Sequence, residues 1–556
     1  MDPREAVSDA EALFRAATRA LASGADPAML ARLEAGRRDH PGHAGIALRL
    51  ADALHLAGRA EAADAYRAAL ALDERGFEAW YGLGGVLLGH GAYAAGRDAL
   101  GHALALAPDA QGARSLWAEA QFALGEVDEA AAAYRHVIAR GEPTVRNAAL
   151  ASLAVLIPGS PAADNVQVRA ARAAWVARAG GGIVALPLRA APVGRKIRLG
   201  YLSAFFGARN WMKPVFGVIN RHDRAQFEVH LISDGDDPSA AAGYREHDED
   251  RIWQVRGMPN DALARAIAQA AIDVLIDLNG YSLANRLGLF PYRSARFQLG
   301  WFNMFATTAV PGMDALVGDD EAIPLAEEKF YSERILRVPG SYLAFEVTYP
   351  TPEVSQSPWL ANGWPTLGCL GSAYKLTPET LDAWAAIFRA VPAARLHVGN
   401  PTLDEASNRV DLLARLDARG VAADRVGLSG RAEHYDFLRG YDGIDIALDT
   451  FPYNGGTTTS EALWQGVPVL TTACDRWAGR TSRSLLLAAG LGDWVAPDIP
   501  GFIETAIALL RDPHGPQRLA ALRAGMRAHL QSRPVCDSSG LCAALEAIYT
   551  KGLAGT

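Results

Sequence analysis

The sequence predicts an all-α solenoid of helical hairpins, followed by two doubly wound α/β units in tandem. The first observation is self-similarity with a period of 34 residues over three consecutive blocks, residues 43–76, 77–110 and 111–144. Such a period is typical of stacked two-helix repeats. The second observation is that short apolar runs alternate with helical segments after residue 196, and that a new set of runs begins after Pro365. This alternation is typical of parallel sheets covered by helices on both faces.

The repeat register is visible in apolar residues spaced by 34 positions. Three sets keep this spacing: Leu54, Leu88 and Phe122; Tyr66, Leu100 and Tyr134; and Leu70, Leu104 and Ile138. In each block a helix break with a glycine, at Gly58, Gly91 or Gly125, separates the first set from the second. The pattern resembles tetratricopeptide repeats, and the constant spacing disfavours the alternative, a simple bundle of Ala-rich helices. We therefore expect residues 1–145, including a degenerate repeat or cap at 9–40, to form an interaction arm without chemistry of its own.

Composition and charge exclude several functional classes. The 556 residues carry a net charge of −8, which gives no basic field for a nucleic-acid partner. The four cysteines form no C-x-x-C motif, so we expect neither a disulfide framework nor a structural metal. The first residues lack the pattern of a signal peptide, and no apolar run approaches the ~18 residues of a membrane span. We expect a cytoplasmic protein without a membrane partner.

The α/β part follows a predicted helical linker at 146–195 and divides into two predicted domains. Residues 196–355 form the first, with strands expected at 197–202, 227–232 and 272–277. Residues 356–556 form the second, with strands expected at 366–370, 395–398, 426–429, 444–448 and 467–470. Ligands of doubly wound sheets bind outside the carboxyl ends of the strands, so we expect the chemistry in a cleft between the domains. The last helices, at 507–550, are expected to pack back across that cleft.

A turn rich in glycine and threonine follows the strand expected at 444–448 and opens a helix. Gly455 and Gly456 let a ligand approach the backbone closely. Hydroxyl groups accompany the free N–H groups of the helix start, at Thr457, Thr458 and Thr459. This arrangement favours a diphosphate or a similar anion, with an ordinary Thr-capped helix as the alternative. Lys375, just past the first strand of the same domain, supplies a cation for the same phosphates and for a leaving nucleotide.

Several sequence motifs occur together and in a fixed order. In the second domain they are Tyr374–Thr380, Ala432–His434, Asp449–Thr458 and Ala462–Val469. In the first domain they are Gly200–Ser203, Asp277–Tyr281 and Phe330–Glu333. Over residues 196–515 the chain therefore resembles the O-linked N-acetylglucosamine transferase family, glycosyltransferase family 41. That family includes bacterial members with a repeat arm and the SPINDLY-like fucosyltransferases of plants.

The resemblance implies a GT-B fold, in which two Rossmann-like domains enclose a cleft, and a metal-independent enzyme that inverts by direct displacement. It also implies that the second domain holds a nucleotide sugar, which is a donor substrate and not a cofactor. By position, Lys375 binds the diphosphate, His434 packs on the base and Glu461 holds the ribose. The full set of implied donor-site residues is Lys375, Arg431, His434, Asn454, Gly455, Gly456, Thr457, Thr458, Thr459 and Glu461. The local alternatives are that Glu461 only complements its helix and that His434 is a surface histidine.

The first domain departs from the family pattern at positions that carry chemistry. Phe205 replaces an aspartate, and Arg209 replaces a histidine that is a candidate base, although an arginine does not accept a proton near neutral pH. The family's glycine-rich loop corresponds to the bulkier Asn303–Ala309, which we expect to reshape the sugar pocket. Either Arg209 binds the carboxylate of a different donor, an acidic nonulosonic sugar destined for flagellin, or activity has been lost. The well-equipped nucleotide half favours the different donor.

Two aspartates are the other candidates for the catalytic base. We expect Asp277 and Asp273 at or near the carboxyl end of a strand that faces the cleft, where either could take a hydroxyl proton. For Asp277 the alternative is a structural partner of a backbone turn. We thus predict catalytic roles for Lys375, Asp277 and Arg209 in a protein O-glycosyltransferase, whose protein acceptor is recruited by the arm. The alternative class is a non-catalytic adaptor that binds a nucleotide or nucleotide sugar.

Overall fold

A computed structural model describes residues 3–24, 26–179, 182–188, 190–208, 210–241, 243–282 and 284–555 of the chain. These residues divide into two compact units. The first unit consists of the residues up to Ala149 together with Thr402–Ala414. The second consists of Leu150–Pro401 together with the residues from Arg415 onward.

The first unit is built from antiparallel helical hairpins. Its helices are α1 (Pro3–Leu21), α2 (Pro27–Asp39), α3 (Ala44–Leu56), α4 (Ala62–Leu70), α5 (Phe77–Gly89), α6 (Tyr93–Leu106), α7 (Gln111–Ala123), α8 (Val127–Arg140) and α9 (Pro143–Leu156), the last of which continues into the second unit. The helices α3 to α8 form one hairpin for each predicted 34-residue block, so the repeats are confirmed. Gly58, Gly91 and Gly125 end the first helix of each hairpin with φ of 65°, 80° and 91°, a left-handed conformation that favours glycine.

The second unit holds two parallel sheets. The first contains β1 (Ile197–Ser203), β2 (Phe227–Ser233), β3 (Arg251–Gln254), β4 (Val274–Asp277), β5 (Phe297–Gly300), β6 (Ala315–Gly318) and β7 (Arg334–Arg337), in the order β3-β2-β1-β4-β5-β6-β7. The second contains β8 (Thr366–Cys369), β9 (Arg395–Gly399), β10 (Val426–Ser429), β11 (Ile446–Leu448), β12 (Val469–Thr472) and β13 (Val495–Ala496), in the order β10-β9-β8-β11-β12-β13. The predicted pair of doubly wound α/β units is therefore confirmed.

Helices cover and connect these strands. They are α10 (Asn165–Ala179), α11 (Lys213–Ile219), α12 (Asn260–Gln269), α13 (Pro358–Asn362), α14 (Pro378–Ala390), α15 (Ala406–Asp417), α16 (His434–Arg439), α17 (Thr457–Trp464), α18 (Thr481–Ala488), α19 (Ile499–Arg511), α20 (Gly515–Gln531) and α21 (Ser538–Ala554). Among the helices of the described residues, none is both long and apolar enough to cross a membrane.

The strand order reverses once in each sheet, and these switch points mark the ligand sites of doubly wound folds. In the first sheet the reversal lies between β1 and β4, and in the second between β8 and β11. The segments that leave the carboxyl ends of β8 and β11 are the ones that contain Lys375 and the glycine–threonine turn. Topology alone thus brings the two predicted features to one edge of the second sheet.

The last helix returns to the first sheet, as predicted for the segment 507–550, whereas α19 and α20 pack on helices of the second half. The Tyr549 hydroxyl of α21 lies 2.9 Å from that of Tyr201 on β1, and both rings are buried. Glu546, one turn earlier on α21, bonds through Oε1 with Nδ1 of His222 at 2.9 Å. The C-terminal segment therefore ties the two α/β halves together.

The prediction for Asp273 is wrong. Asp273 precedes β4 and so lies at the amino end of that strand, not at or near its carboxyl end. Its carboxylate accepts two hydrogen bonds from the guanidinium of Arg195, at 2.7 and 2.8 Å. The strand predicted from the apolar run at 272–277 began too early, because the first residues of that run form the turn after α12.

Candidate functional site

Lys375 and the glycine–threonine turn meet at the switch point of the second sheet. The Lys375 ammonium donates a hydrogen bond to the carbonyl oxygen of Asn454 at 2.7 Å. It also lies 4.3 Å from the centre of the Tyr453 ring, within the range of a cation–π contact. In the sequence, Lys375 and the turn belong to separate motifs about 80 residues apart. The structure brings them together.

Asp449 holds the turn in its shape. Its Oδ1 accepts from the backbone N–H of Gly455 at 2.9 Å, and its Oδ2 accepts from the Thr471 hydroxyl at 2.6 Å. A Cβ on Gly455 would lie 2.4 Å from Oγ1 of Thr459, so only glycine fits there. The turn is therefore preorganised by the strand ends on either side of it.

The three threonines at the start of α17 have different environments. Thr457 and Thr458 are partly exposed in the first turn, and the helix starts after Gly456 with no side-chain cap on its free N–H groups. Thr459 is buried, and its hydroxyl lies 2.8 Å from that of Ser482. Thr458 and Thr459 line the pocket beside Lys375, and Thr459 also packs against α18.

The side chain of Asn454 is a buried polar group within this turn. Asn454 is only 3% exposed, and within the described part of the chain neither Oδ1 nor Nδ2 has a hydrogen-bond partner. A buried carboxamide without partners costs free energy that a bound ligand recovers. A pocket lined by Lys375, Gly455 and Thr458 opens at this turn.

Glu461, one turn further along α17, is the centre of a second cluster of polar side chains. It is 2% exposed, and its Oε1 lies 2.9 Å from Nε2 of His434. Asn210 of the first α/β half donates to the same oxygen at 3.4 Å, and the ammonium of Lys213 lies 3.9 Å away. His434 and Glu461, two of the predicted donor-site residues, are therefore in direct contact. Arg431, a third predicted residue, is exposed and precedes α16.

Sequence reasoning missed Asn210 and Lys213. The available signal is a lysine at the start of an otherwise apolar helix, Lys213–Ile219, in which every residue is buried. Burial lowers the pKa of Lys213, and the nearby carboxylate of Glu461 raises it. A lone charge in a buried helix indicates an internal ionic partner, and the partner lies on a distant part of the chain.

At the switch point of the first sheet, Asp277 supports a turn. It is fully buried, and its carboxylate accepts from the backbone N–H groups of Asn279 and Gly280 at 3.0 and 3.2 Å. Burial raises its pKa to about 7. Arg209, the other residue predicted to act in this half, lies outside the described residues. Phe205 packs edge-on against Trp211, with ring centres 4.4 Å apart.

The loop 303–309 has an unusual backbone and brings aromatic groups to the nucleotide half. The backbone φ angles of Phe302, Phe305 and Ala309 are 83°, 57° and 57°, values that residues other than glycine rarely adopt. The Phe305 ring meets the Tyr453 ring edge-on at 5.2 Å. The bulky side chains expected from the sequence therefore do lie next to the turn that contacts Lys375.

Two buried residues hold this loop. The Arg172 guanidinium of α10 donates to the carbonyl oxygens of Thr307 and Met304 at 2.8 and 3.3 Å. Glu333 accepts from the Thr307 hydroxyl and from the Thr308 N–H, both at 2.7 Å. No sequence motif marks Arg172, and only the folded chain shows that the helical linker supports the site.

One cluster in the described residues has the composition of a metal site. His222, Cys542 and Glu546 place potential ligand atoms within 4.8 Å of one another. Both ring nitrogens of His222 already have partners, Nδ1 with Glu546 and Nε2 with the Tyr201 hydroxyl at 2.6 Å. The cluster lies where α21 packs on the first half, and hydrogen bonds account for it.

Comparison with known proteins gives consistent results. The model of glycosyl transferase family 41 matches residues 185–349 and 368–545. The probable UDP-N-acetylglucosamine–peptide N-acetylglucosaminyltransferase SPINDLY of Arabidopsis thaliana is 31% identical over 364 residues, which are 64% of this chain and 39% of that protein. The corresponding Arabidopsis protein SEC is 28% identical over 377 residues, 66% of this chain and 38% of its own length. The chain thus spans about two fifths of the length of these relatives.

A solved structure resembles the whole chain. A Lys-to-Met mutant of the O-GlcNAc transferase of Thermobaculum terrenum superposes with a TM-score of 0.75 at 29% sequence identity. The match covers 98% of both chains. It therefore includes the helical repeats as well as the two α/β halves.

Proposed function

The chain belongs to glycosyl transferase family 41, and from that premise we propose that it transfers a sugar from a nucleotide-sugar donor to a serine or threonine hydroxyl of a protein. The observation that carries this proposal is the contact of Lys375 with the Asn454 carbonyl at the switch point of the second sheet. That contact places a cation beside the free N–H groups at the start of α17, and both features attract phosphate.

In the proposed reaction, this site stabilises the nucleotide as it leaves the sugar. As the bond between the sugar and the phosphate breaks, negative charge grows on the phosphate oxygens. Three groups stabilise that charge: the Lys375 ammonium, the backbone N–H groups in the first turn of α17, and the Asn454 carboxamide. They are fixed in place before the reaction, so no reorganisation is needed. These groups replace the positive charge of a metal ion in the proposed mechanism. Direct attack by the acceptor hydroxyl inverts the anomeric centre.

Binding of the rest of the donor and of the acceptor follows the family pattern in this proposal. His434 and Glu461 bind the base and the ribose, and their mutual contact at 2.9 Å supports a shared role. The arm of helical repeats recruits the protein acceptor along its concave surface. The four cysteines are free thiols, which supports a reducing compartment and therefore the cytoplasm.

The identity of the donor sugar is a narrower proposal. The names of both Arabidopsis relatives include UDP-N-acetylglucosamine, which makes it the first donor to test. The replaced loop, with Phe305 against Tyr453, supports a different sugar shape. An acidic nonulosonic sugar transferred to flagellin fits a cationic Arg209, and Arg209→Ala is then expected to abolish transfer while nucleotide binding persists.

The experiment combines transfer and binding. The purified chain is incubated with UDP-N-acetylglucosamine, GDP-fucose or a CMP-linked nonulosonic acid, each with flagellin and with cell lysate, and the acceptors are read by intact mass. Binding of each nucleotide is measured by calorimetry. We expect one donor to give a mass increment equal to its sugar. Nucleotide binding without any increment would favour the adaptor, and the absence of nucleotide binding would contradict the proposal.

Lys375→Met provides the decisive variant. We expect transfer to fall by more than about 100-fold, because preorganised donors to a developing anion are worth that much or more. Lys551→Met, which removes an exposed lysine from the last turn of α21, is the matched control and is expected to keep full activity. Equal activity of the two variants would refute the role of Lys375.

A further inference from the structure

Lys213 is a buried ammonium in the first α/β half. Its side chain is 2% exposed, and its Nζ donates to the Asn210 carbonyl oxygen at 2.8 Å. The carboxylate of Glu461, in the second half, lies 3.9 Å away and is the one acidic group within 4 Å in the described part of the chain. Buried lysines are rare unless they are paired, because an ion loses its hydration on burial. Glu461 is therefore the partner that compensates this charge.

Glu461 connects that ion pair to the nucleotide half. It stands three residues after Thr458 on α17, so it lies one helical turn from a residue that lines the pocket. His434, Asn210 and Lys213 all approach its Oε1. Within the described residues, the hydrogen bonds and the ion pair of this carboxylate go to Oε1, so Oε2 is the oxygen that a ligand would contact.

We propose that Lys213 is a positioning residue of the donor site, which holds the Glu461 carboxylate in place and oriented toward the hydroxyls of the donor ribose. This inference rests on the proposed function. Its consequence is that the nucleotide site is composite, because a residue of the first α/β half fixes a ligand-binding residue of the second. Without Lys213, the buried carboxylate loses its lysine partner and keeps Asn210, which is neutral, and His434, which carries charge only when protonated.

The test is a double-mutant cycle on nucleotide affinity. Lys213→Met, Glu461→Gln and the double variant are compared with the wild type by calorimetry with UDP, GDP and CMP. For the nucleotide that binds, we expect Lys213→Met to weaken affinity about 10-fold. In the Glu461→Gln background the same substitution is expected to change affinity less than about twofold, because its effect passes through Glu461.

Inorganic pyrophosphate separates positioning from a general structural role. Pyrophosphate contacts the turn and Lys375 but has no ribose, so we expect its affinity to stay within about twofold in Lys213→Met. Lys196→Met is the matched control, since Lys196 forms an exposed ion pair with Glu249 in the same half. That control is expected to bind both ligands as the wild type does.

Different failures have different meanings. Additive losses in the cycle, or equal losses for pyrophosphate and nucleotide, would overturn the positioning role alone. Unchanged nucleotide affinity in Lys213→Met would do the same. If the wild type binds none of the nucleotides, the proposed function falls and this inference with it. Should Lys213→Met not fold, Lys213→Arg takes its place, and we expect that conservative variant to keep affinity within about threefold; a 10-fold loss there would also count against the inference.

Discussion

Asp277 shows how a single carboxylate can have the position of a base and the surroundings of a structural group. It ends β4 at the switch point of the first sheet, yet it is fully buried and its oxygens accept from two backbone N–H groups of the following turn. A general base contributes about 100-fold or more to a rate, but it must reach the proton that it removes. The geometry therefore favours the turn-forming role that the sequence left open.

Substitution of Asp277 by asparagine separates the two roles. Asparagine keeps one acceptor for the turn, so we expect Asp277→Asn to fold and to keep kcat/KM within about 10-fold of the wild type. The measurement is the initial rate of transfer with the active donor. A loss of about 100-fold or more would identify Asp277 as the base.

The same variant has a predicted pH signature. Burial raises the pKa of Asp277 from 3.8 to about 7, so between these values the folded carboxyl keeps a proton that the unfolded chain has lost. Its contribution to the free energy of unfolding then falls as pH rises, by about 1.4 kcal/mol per pH unit, and is constant above about pH 7. In urea unfolding, we expect the free energy of unfolding of Asp277→Asn to rise relative to that of the wild type from pH 5 to pH 8. An unchanged difference would contradict the pKa shift.

At the same scale, motif residues were predictable and their partners were not. Lys375 and Asn454 stand in motifs and Glu461 lies between two of them, and the fold places each of them at the second sheet's switch point or one helical turn from it. Asn210 and Lys213 stand in a segment where the family pattern is already broken. Their importance comes from contacts with a residue about 250 positions away, which spacing along a chain does not reveal.

Among the elements, the loop 303–309 depends on support from outside its own domain sequence. Arg172 comes from α10 and is buried, and its guanidinium bonds to two carbonyl oxygens of the loop. Its charge is also compensated by Glu333, which binds the same loop from the other side. The two side chains hold backbone conformations that glycine would adopt without strain and that Phe305 and Ala309 adopt here.

Arg172→Met is therefore expected to affect transfer more than nucleotide binding. Loss of the guanidinium removes a donor from the buried carbonyl groups of Ala154, Met304 and Thr307, of which that of Met304 also accepts from the Ala306 N–H. At about 1–3 kcal/mol for each group left without a partner, we expect the unfolding temperature to fall by about 3–6 °C. Transfer is expected to drop more than about 10-fold, while nucleotide affinity stays within about threefold.

The matched control is Arg169→Met, one turn earlier on α10. Arg169 donates to the Lys329 carbonyl from an exposed position, so its loss should leave transfer and stability unchanged. Differential scanning fluorimetry, transfer rates and calorimetry give the three readouts. Parallel losses of binding and transfer in Arg172→Met would show that the loop is not a separate functional element.

Some strands were predictable from apolar runs, and others were not. The runs at 197–202, 227–232 and 426–429 correspond to β1, β2 and β10 within one residue at each end. β13 has two residues, and β3 has the sequence Arg-Ile-Trp-Gln with exposed ends, so neither gives a periodic signal. Such strands form because a neighbouring strand offers its edge, which is a tertiary effect.

For the whole molecule, the compact units do not follow the linear order of the predicted domains. The boundaries expected at 145, 195 and 355 assume contiguous segments and stay predictions. The unit that holds the repeats also contains Thr402–Ala414, which the chain inserts between β9 and β10 of the second sheet. A pattern read along the sequence assigns α15 to the second α/β domain, because nothing in its composition indicates its neighbours.

Asn408 is the residue through which this insertion joins the repeats. It is buried, its Oδ1 accepts from the Ala94 N–H at the start of α6 at 2.9 Å, and its Nδ2 donates to the Gly91 carbonyl at 2.8 Å. Asp411, one turn later on α15, pairs with Arg97 at 2.8 Å. The side chain of Asn408 thus acts as a cap for a helix that is more than 300 residues away in the sequence.

Asn408→Ala is expected to loosen the first turn of α6 without unfolding the chain. The Ala94 N–H loses its acceptor in a buried position, a loss of about 1–3 kcal/mol that converts to about 5- to 100-fold faster hydrogen exchange if opening is local. Hydrogen–deuterium exchange of a peptide that spans residues 92–97 provides the measurement, and peptides from α3 and α4 should not change. Ser407→Ala is the matched control, because the buried hydroxyl of Ser407 has no partner among the described residues. If both variants exchange like the wild type, the Asn408 bonds do not hold α6; if exchange rises throughout the repeats, the insertion stabilises the whole unit and not one helix start.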